Sequence, residues 1–351
     1  MSTLHISLKK TIDSSYDILI GQDLLPQIIK DLKEKSWGSK YAIITDSAVQ
    51  SLFGMELKKT LRKNDIKCDL FSFHKGEKSK NLATIRKLAT KLIHKNYNRS
   101  DAIIALGGGV VGDVAAFLAS VFMRGIPFIQ IPTSILAMVD SSIGGKTGVD
   151  LDVGKNLIGS FYQPKKVYMD TNILEKLPKR QISNGLAEVI KYGCIYDENF
   201  FEYLEGNVQK CFEHNHKVLE YIIKKSCEIK GAIVEKDEKE LQDLRMILNY
   251  GHTVGHALEI LSKFNIQHGE AIAMGMIEVN KRALKKSLMD KIDADRIKKL
   301  FNKAFLPTEI PARFTTEKIQ KIMLKDKKVK NNQIRFVICP KIGQTKIIEN
   351  L

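Results

Sequence analysis

The chain has 351 residues, 44% of them hydrophobic, and 56 Lys and Arg against 40 Asp and Glu leave a formal charge of +16. Single cores rarely grow past about 250–300 residues, so two domains are expected, and the apolar content excludes disorder over most of the length. The positive balance fits nucleic acid, an acidic membrane or a small anion, and placement must choose among them.

Many lysines sit in pairs on polar helix faces, as at Lys58-Lys59, Lys224-Lys225 and Lys298-Lys299, which is the pattern of a solvated surface. Aromatics are only 7%, with no aromatic-interleaved basic stripe, so a nucleic-acid partner is not expected. The cysteines Cys68, Cys194, Cys211, Cys227 and Cys339 are odd in number and form no CxxC pair. That argues against a disulfide framework or a Cys-rich zinc site, and the thiols suit a reducing, cytoplasmic compartment. The opening MSTLHISLKK lacks the signal-peptide pattern. The longest uncharged run, Gly125–Val139, is broken by two prolines and falls short of the about 20 apolar residues a bilayer demands.

In chain order, His5–Leu8 and Tyr16–Ile20 read as a hairpin of strands. Tyr41–Thr45 reads as a buried strand followed by a helix to about Asn64. Cys68–Phe73 is a strand, Asn81–Asn96 a helix, Asp101–Leu106 a strand, Val114–Met123 a helix and Pro127–Ile131 a strand. Strands alternating with helices predict a parallel, doubly wound sheet with its ligand at the carboxyl ends of the strands. From about Gln181 to Leu306 the periodicity is mainly helical, and Gln333–Cys339 with Thr345–Ile348 reads as a small terminal strand pair. The fold class is therefore α/β: a Rossmann-like doubly wound domain over 1–178, then a mainly α-helical domain over 179–351.

The strand at Asp101–Leu106 runs into Gly107-Gly108-Gly109-Val110-Val111-Gly112, which satisfies G-x-G-x-x-G between a strand and a helix. Glycines admit a pyrophosphate close to backbone amides at a helix N-terminus, so this turn points to a dinucleotide. Asp113 follows in the first helical turn, where it suits a ribose or nicotinamide better than a phosphate. Asp46, ending the first long strand, is placed either for a ribose hydroxyl or as a helix N-cap. A second glycine segment, Ser141–Gly148, ends in GKT, but Asp140 stands where a P-loop requires its first glycine. Lys146, Lys155 and Asn156 remain candidates for holding an anion.

Asp243–Ser262 is predicted as one helix. Arg245, Asn249, His252, His256 and Glu259 follow steps of four and three and so line one face. An exposed face would carry Lys and Glu; this one suits a metal or catalytic site, with Gly251 and Gly255 allowing close approach. There is no His-Glu-x-x-His. Asn184, Glu188 and Lys191 repeat the spacing on an earlier helix, and His268 lies further on. Glu188, His252 and His268 together make a donor set suited to a divalent, zinc-like ion with one position left open.

Gly107–Asp113 (GGGVVGD), Arg124-Gly125-Ile126-Pro127, Pro132–Ser134, Asp140–Val149 (DSSIGGKTGV), Gly185–Gly193 (GLAEVIKYG), Asn249–Ala257 (NYGHTVGHA), His268-Gly269-Glu270 and Asp326-Lys327-Lys328 occur in this order. From about residue 41 to 340 the chain closely resembles the 3-dehydroquinate synthase family of the shikimate pathway. Asp237–Arg245 is one residue longer than that family's usual spacing. The resemblance implies a metal ion, zinc or cobalt, on Glu188, His252 and His268. It implies NAD against Asp46, Glu77, Lys80, Gly108, Gly109, Val110, Val111, Gly112, Asp113, Thr133, Ser134, Lys146 and Lys155. It implies a phosphorylated sugar acid, 3-deoxy-D-arabino-heptulosonate 7-phosphate, among Asp140, Lys146, Lys191, Lys230, Arg245, Asn249 and His256. Asn156, Arg124, Lys327 and Lys328 are expected at its phosphate, Arg124 reaching across a homodimer. A related sugar-phosphate cyclase, or a metal-dependent alcohol dehydrogenase like glycerol dehydrogenase, is the alternative. No nucleic acid or membrane partner is expected.

Overall fold

The computed structural model describes residues 3–8, 13–151, 154–324, 329–330 and 333–351. Strand β1 (Asp17–Gly21) leads to α1 (Leu25–Lys35), β2 (Tyr41–Asp46) and α2 (Ser47–Val49), which continues through a π-helical turn into α3 (Met55–Lys63). Next come β3 (Cys68–Phe73), α4 (Leu82–His94), β4 (Ala102–Gly107), α5 (Gly109–Val121) and β5 (Phe128–Pro132). An antiparallel hairpin, β6 (Lys146–Leu151) and β7 (Gly154–Phe161), precedes β8 (Lys166–Asp170).

Six of these strands form one sheet in the order β1-β8-β5-β4-β2-β3, and every pairing in it is parallel. Every residue of β4 and β5 is buried, as expected for central strands covered by helices on both faces. Successive side chains of a strand point to opposite faces. Tyr41, Ile43, Ile104 and Leu106 accordingly cluster with Ile28 and Leu32 of α1 and with Leu57 and Leu61 of α3. Ala42, Ile44, Ile103 and Ala105 cluster with α4 and α5 on the other face.

The second half holds α6 (Lys179–Tyr196), α7 (Glu198–Asn207), α8 (His216–Lys236), α9 (His252–Leu261), α10 (His268–Lys285), α11 (Lys291–Lys303) and α12 (Thr316–Met323). A short sheet of β9 (Val329–Lys330), β10 (Gln333–Ile338) and β11 (Lys346–Glu349) closes it. Its core is continuous with residues of the parallel sheet, such as Val167 and Met169 of β8. No described helix is long and apolar enough to cross a membrane.

Two expected elements differ. The N-terminal hairpin does not form: 5–8 is exposed without strand structure, while β1 is the sheet edge, parallel to β8. The helix expected over Asp243–Ser262 is broken. Leu244–Asn249 is a 3-10 segment, and Gly251 takes a left-handed φ of 79° before α9 begins at His252. Tertiary packing explains the break: a Cβ at Gly251 would lie 2.7 Å from the carbonyl oxygen of Ile272 on α10. Glycine alone accepts both the angle and the approach.

Candidate active site

The site assembles from α6, α9 and α10. Helix α6 is buried from Ile182 to Ile195, so its two charged residues there, Glu188 and Lys191, have almost no access to water. Burying a charge is costly unless it is paired, and the Lys191 ammonium meets Glu188 Oε2 one turn away. That oxygen nevertheless has no well-directed hydrogen bond among the described residues. The other, Oε1, stands 3.1 Å from His268 Nε2 and 3.4 Å from His252 Nε2.

The two histidines are each the first residue of a helix. His252 opens α9 directly after the Gly251 turn. His268 opens α10, whose start is fixed by Glu270 Oε2 accepting the Gln267 amide at 2.9 Å. Arg180 holds Glu270 in turn, at 2.6 and 2.8 Å. The amide of Gly269 donates to Asn184 Oδ1 at 2.6 Å and ties α10 to α6.

The donor chemistry fits a divalent cation. His252 Nδ1 lies 3.1 Å from the Tyr250 carbonyl oxygen, which can only accept, so Nδ1 carries the proton and Nε2 offers a lone pair towards Glu188. Burial drives His252 towards the neutral ring, with a pKa of about 4. Burial likewise opposes charge on His268, but hydrogen bonds to Glu188 and Glu259 outweigh it and lift that pKa to about 10. The contact between His268 Nε2 and Glu188 Oε1 marks the corner where a cation would sit. Burial would also raise Glu188, yet Lys191 and then His252 hold it well below the usual carboxylate range. Ligand atoms of Glu188, His252 and His268 lie within 4.8 Å of one another; His256, Glu259 and His268 form a second such group.

Around this corner stand cations with defined partners. Lys230 Nζ donates to the Asp140 backbone oxygen at 2.6 Å and to its Oδ1 at 2.5 Å, and Tyr192 OH donates to the same carboxylate at 3.1 Å. Burial would raise Asp140, but Lys230 overcomes it and holds the pKa down to about 2. Arg245 is 3% exposed; its Nη1 donates to the Glu238 carbonyl at 2.8 Å, while its Nε is buried without a partner among the described residues. Such a guanidinium is prepared for an incoming anion. Asn249 ends the 3-10 segment, and the His256 ring lies 5.3 Å from that of His252. The Asp237 carboxylate accepts three amides, of Leu241, Gln242 and Leu244, and so shapes the loop that carries Glu238 and Glu240. Glu240 takes the Lys146 ammonium at 2.5 Å, and Glu238 takes Gln163 at 2.8 Å.

The expected dinucleotide residues lie along the carboxyl ends of the sheet. Gly107 ends β4 and its carbonyl accepts the Thr133 amide at 3.0 Å, just past β5. Gly108 caps α5; Gly109, Val110, Val111, Gly112 and Asp113 form its first turns. A Cβ on Gly108 would lie 3.6 Å from Ser134 Oγ, so the turn and Ser134 are neighbours. Lys80 Nζ bridges Asp113 and the Asn156 amide oxygen, both at 2.5 Å. Lys155 lies between Glu77 at 3.1 Å and Glu259 at 3.2 Å. Asp46 Oδ1 accepts the amides of Ala48 and Val49, so the N-cap alternative is realised.

Of the expected phosphate residues, Asn156 is engaged with Lys80, and Arg124 is exposed with a left-handed φ of 68°. Lys327 and Lys328 lie outside the described residues. Sequence reasoning placed Glu259 on the polar stripe but gave it no role, and it missed Tyr192 and Glu240 altogether. The spacing of Glu259 after His252 and His256 was the available signal; Glu240 carried none, because its partner is distant in the chain.

Residues 70–184 match the pattern described as 3-dehydroquinate synthase N-terminal, and 185–329 that described as 3-dehydroquinate synthase C-terminal. The chain belongs to the 3-dehydroquinate synthase family. A 3-dehydroquinate synthase of Ruminiclostridium cellulolyticum is 42% identical over 332 residues, covering 95% of this chain and 92% of that one. A crystal structure of 2-deoxy-scyllo-inosose synthase complexed with carbaglucose-6-phosphate, NAD+ and Co2+ aligns with a TM-score of 0.87 at 30% identity, covering 95% of this chain and 93% of that one. Glycerol dehydrogenase of Schizosaccharomyces pombe, with a TM-score of 0.66 and 16% identity over 96% of this chain and 89% of that one, shares the fold alone.

Proposed function

We propose that the chain converts 3-deoxy-D-arabino-heptulosonate 7-phosphate into 3-dehydroquinate and phosphate, the second step of chorismate and aromatic amino acid biosynthesis, using NAD and one divalent metal ion. Family membership supports this reading. The observation that carries it is the convergence of Glu188, His252 and His268 beside a buried guanidinium, Arg245, whose Nε lacks a partner among the described residues. A substrate bearing a carboxylate needs such a fork; one without it would leave the group buried and unanswered. That favours the sugar acid over the substrate of a related cyclase.

Glu188, His252 and His268 would hold the metal, with zinc or cobalt both suited to two imidazoles and a carboxylate. The turn at Gly107–Gly112, with Asp46, Glu77, Lys80, Asp113, Thr133, Ser134 and Lys155, would hold NAD. Held there, the metal would supply Lewis acidity at the C5 hydroxyl and NAD a reversible hydride acceptor for C5, with no net oxidation over the cycle. The chain's own residues bind and orient. Arg245, helped by Lys230, takes the carboxylate. Lys146, with Asn156, His256, Lys327, Lys328 and Arg124 of a second subunit in a homodimer, takes the phosphate. Asp140, kept ionised by Lys230, and Asn249 orient hydroxyl groups. Lys191 and His256 are placed for proton transfer. The division at 178/179 separates the NAD half from the metal half, and the enzyme works in the cytoplasm.

The test is turnover of the heptulosonate phosphate by purified protein, following phosphate and cyclic product. NAD far below the substrate concentration should suffice. Stoichiometric accumulation of NADH, or turnover at equal rate of a sugar phosphate that lacks a carboxylate, would refute the assignment.

A further inference from the structure

Glu259 lies on α9, and its side chain is only 5% exposed. A buried carboxylate demands a reason, and its two close partners supply one. Glu259 Oε1 stands 3.5 Å from His268 Nδ1 and 3.2 Å from Lys155 Nζ. The opposite nitrogen of the same imidazole, Nε2, stands 3.1 Å from Glu188 Oε1. His268 is therefore flanked by two carboxylates on opposite edges of one ring.

A neutral imidazole has one N–H and one lone pair, and its neighbours decide which nitrogen carries which. Both carboxylates can only accept; with a cation in place of a proton between Nε2 and Glu188, the one N–H of a neutral ring lies at Nδ1, facing Glu259 Oε1. The lone pair of Nε2 is then directed at the corner shared with Glu188 and His252. Lys155 supplies the positive charge that makes burial of Glu259 tolerable, and it is itself held by Glu77 at 3.1 Å and over the Phe264 ring at 4.4 Å. Lys155 and Glu77 belong to the sheet half, Glu259 and His268 to the helical half.

We infer that Glu259 is a positioning residue: it fixes the tautomer and orientation of His268 for metal binding and, through Lys155, anchors that histidine to the nucleotide-binding half. The inference rests on the reading that Glu188, His252 and His268 hold the metal. Removing such a carboxylate behind a ligating histidine is expected to weaken metal affinity by about 10–100-fold.

The experiment measures the zinc dissociation constant by chelator competition for the wild type, Glu259→Gln, Glu259→Ala and His268→Ala, each checked for folding by circular dichroism. Side-chain nitrogen chemical shifts of His268 in the zinc-loaded protein report which nitrogen carries the proton. Glu259→Gln keeps the volume of the side chain and so carries the test even if Glu259→Ala does not fold. The expected result is at least about tenfold weaker zinc binding in Glu259→Gln, with the Nδ1–H signal of zinc-loaded His268 shifted because its acceptor is no longer a carboxylate. Zinc affinity equal to the wild type in Glu259→Gln, alongside its loss in His268→Ala, overturns the inference and leaves the metal reading standing. Unchanged affinity in His268→Ala overturns both.

Discussion

Gly269→Ala adds one methyl group beside His268 and removes no functional atom. Its Cβ would come 2.1 Å from the Asn184 carbonyl oxygen and 2.8 Å from that residue's carbonyl carbon and Cα. These are backbone atoms of α6, so no side chain can swing aside. Restoring ordinary van der Waals contact requires α10 to retreat by roughly 1 Å, and forced overpacking of this kind costs about 1–3 kcal/mol. The same retreat stretches the bond from the Gly269 amide to Asn184 Oδ1, now 2.6 Å. It also carries His268 away from Glu188, and metal–ligand distances tolerate only about 0.2 Å. The variant should therefore unfold in urea with about 1–3 kcal/mol less stability and retain less zinc after equilibrium dialysis. Gly206→Ala is the control. Apart from its own helix and chain neighbours no described atom lies within 4 Å of its added Cβ, and it sits at the end of α7, so stability should stay within about 0.5 kcal/mol of the wild type. A Gly269→Ala protein with wild-type stability and zinc content would show that the close contact between α6 and α10 does not set the site's geometry.

Lys191→Met should cost the metal-free protein about 3–5 kcal/mol, because Glu188 is left buried without its cation; zinc should restore part of that loss, and an equal deficit with and without zinc in urea unfolding would contradict the placement of Glu188 at a cation site. Glu240→Gln frees Lys146 from an exposed ion pair worth at most about 1 kcal/mol, so the KM for the phosphorylated substrate should fall by up to about fivefold with kcat little changed; steady-state kinetics decide. Burial would raise the pKa of Asp31, but Lys166 and then Tyr168 hold it below its ordinary value. Its contribution is then present above the unfolded pKa of about 4 and lost as pH falls through the folded value. Asp31→Asn should be less stable than the wild type by about 1–3 kcal/mol at pH 7, with the gap closing in urea titrations at progressively lower pH.

The central strands were legible because their residues are buried on both faces. Tyr41–Thr45 needed no knowledge of its neighbours, and β2 matches it almost residue for residue; the half-buried edge strand β3 was read from its apolar run, Cys68–Phe73, instead. Strands β6, β7 and β8 were not read: the hairpin is rich in glycine and polar residues, with much of β7 exposed, and its pairing is a long-range choice. The polar stripe was legible in its membership but not in its geometry. Spacing by four and three suggested one helix through Asn249 and His252, whereas the approach of α10 forces the chain to turn at Gly251. The histidines still meet Glu188 because both start helices that α6 supports. The ion pairs were the least legible feature. Lys146 with Glu240, Lys155 with Glu259 and Lys230 with Asp140 each join residues about ninety to a hundred positions apart, and no local pattern encodes them.

Glu188 and His268 are eighty positions apart in the chain yet meet at a single carboxylate oxygen. A cation seated between them would close that long loop as a crosslink does, withdrawing freedom from the unfolded ensemble as well as adding bonds to the folded one. Stripped of it, α6 and α10 meet at this corner only through the contact between Glu188 Oε1 and His268 Nε2, a weaker clasp. Amide exchange along these two helices should then quicken well before the parallel sheet is disturbed, so that ion depletion would first be felt as local breathing of the helical half.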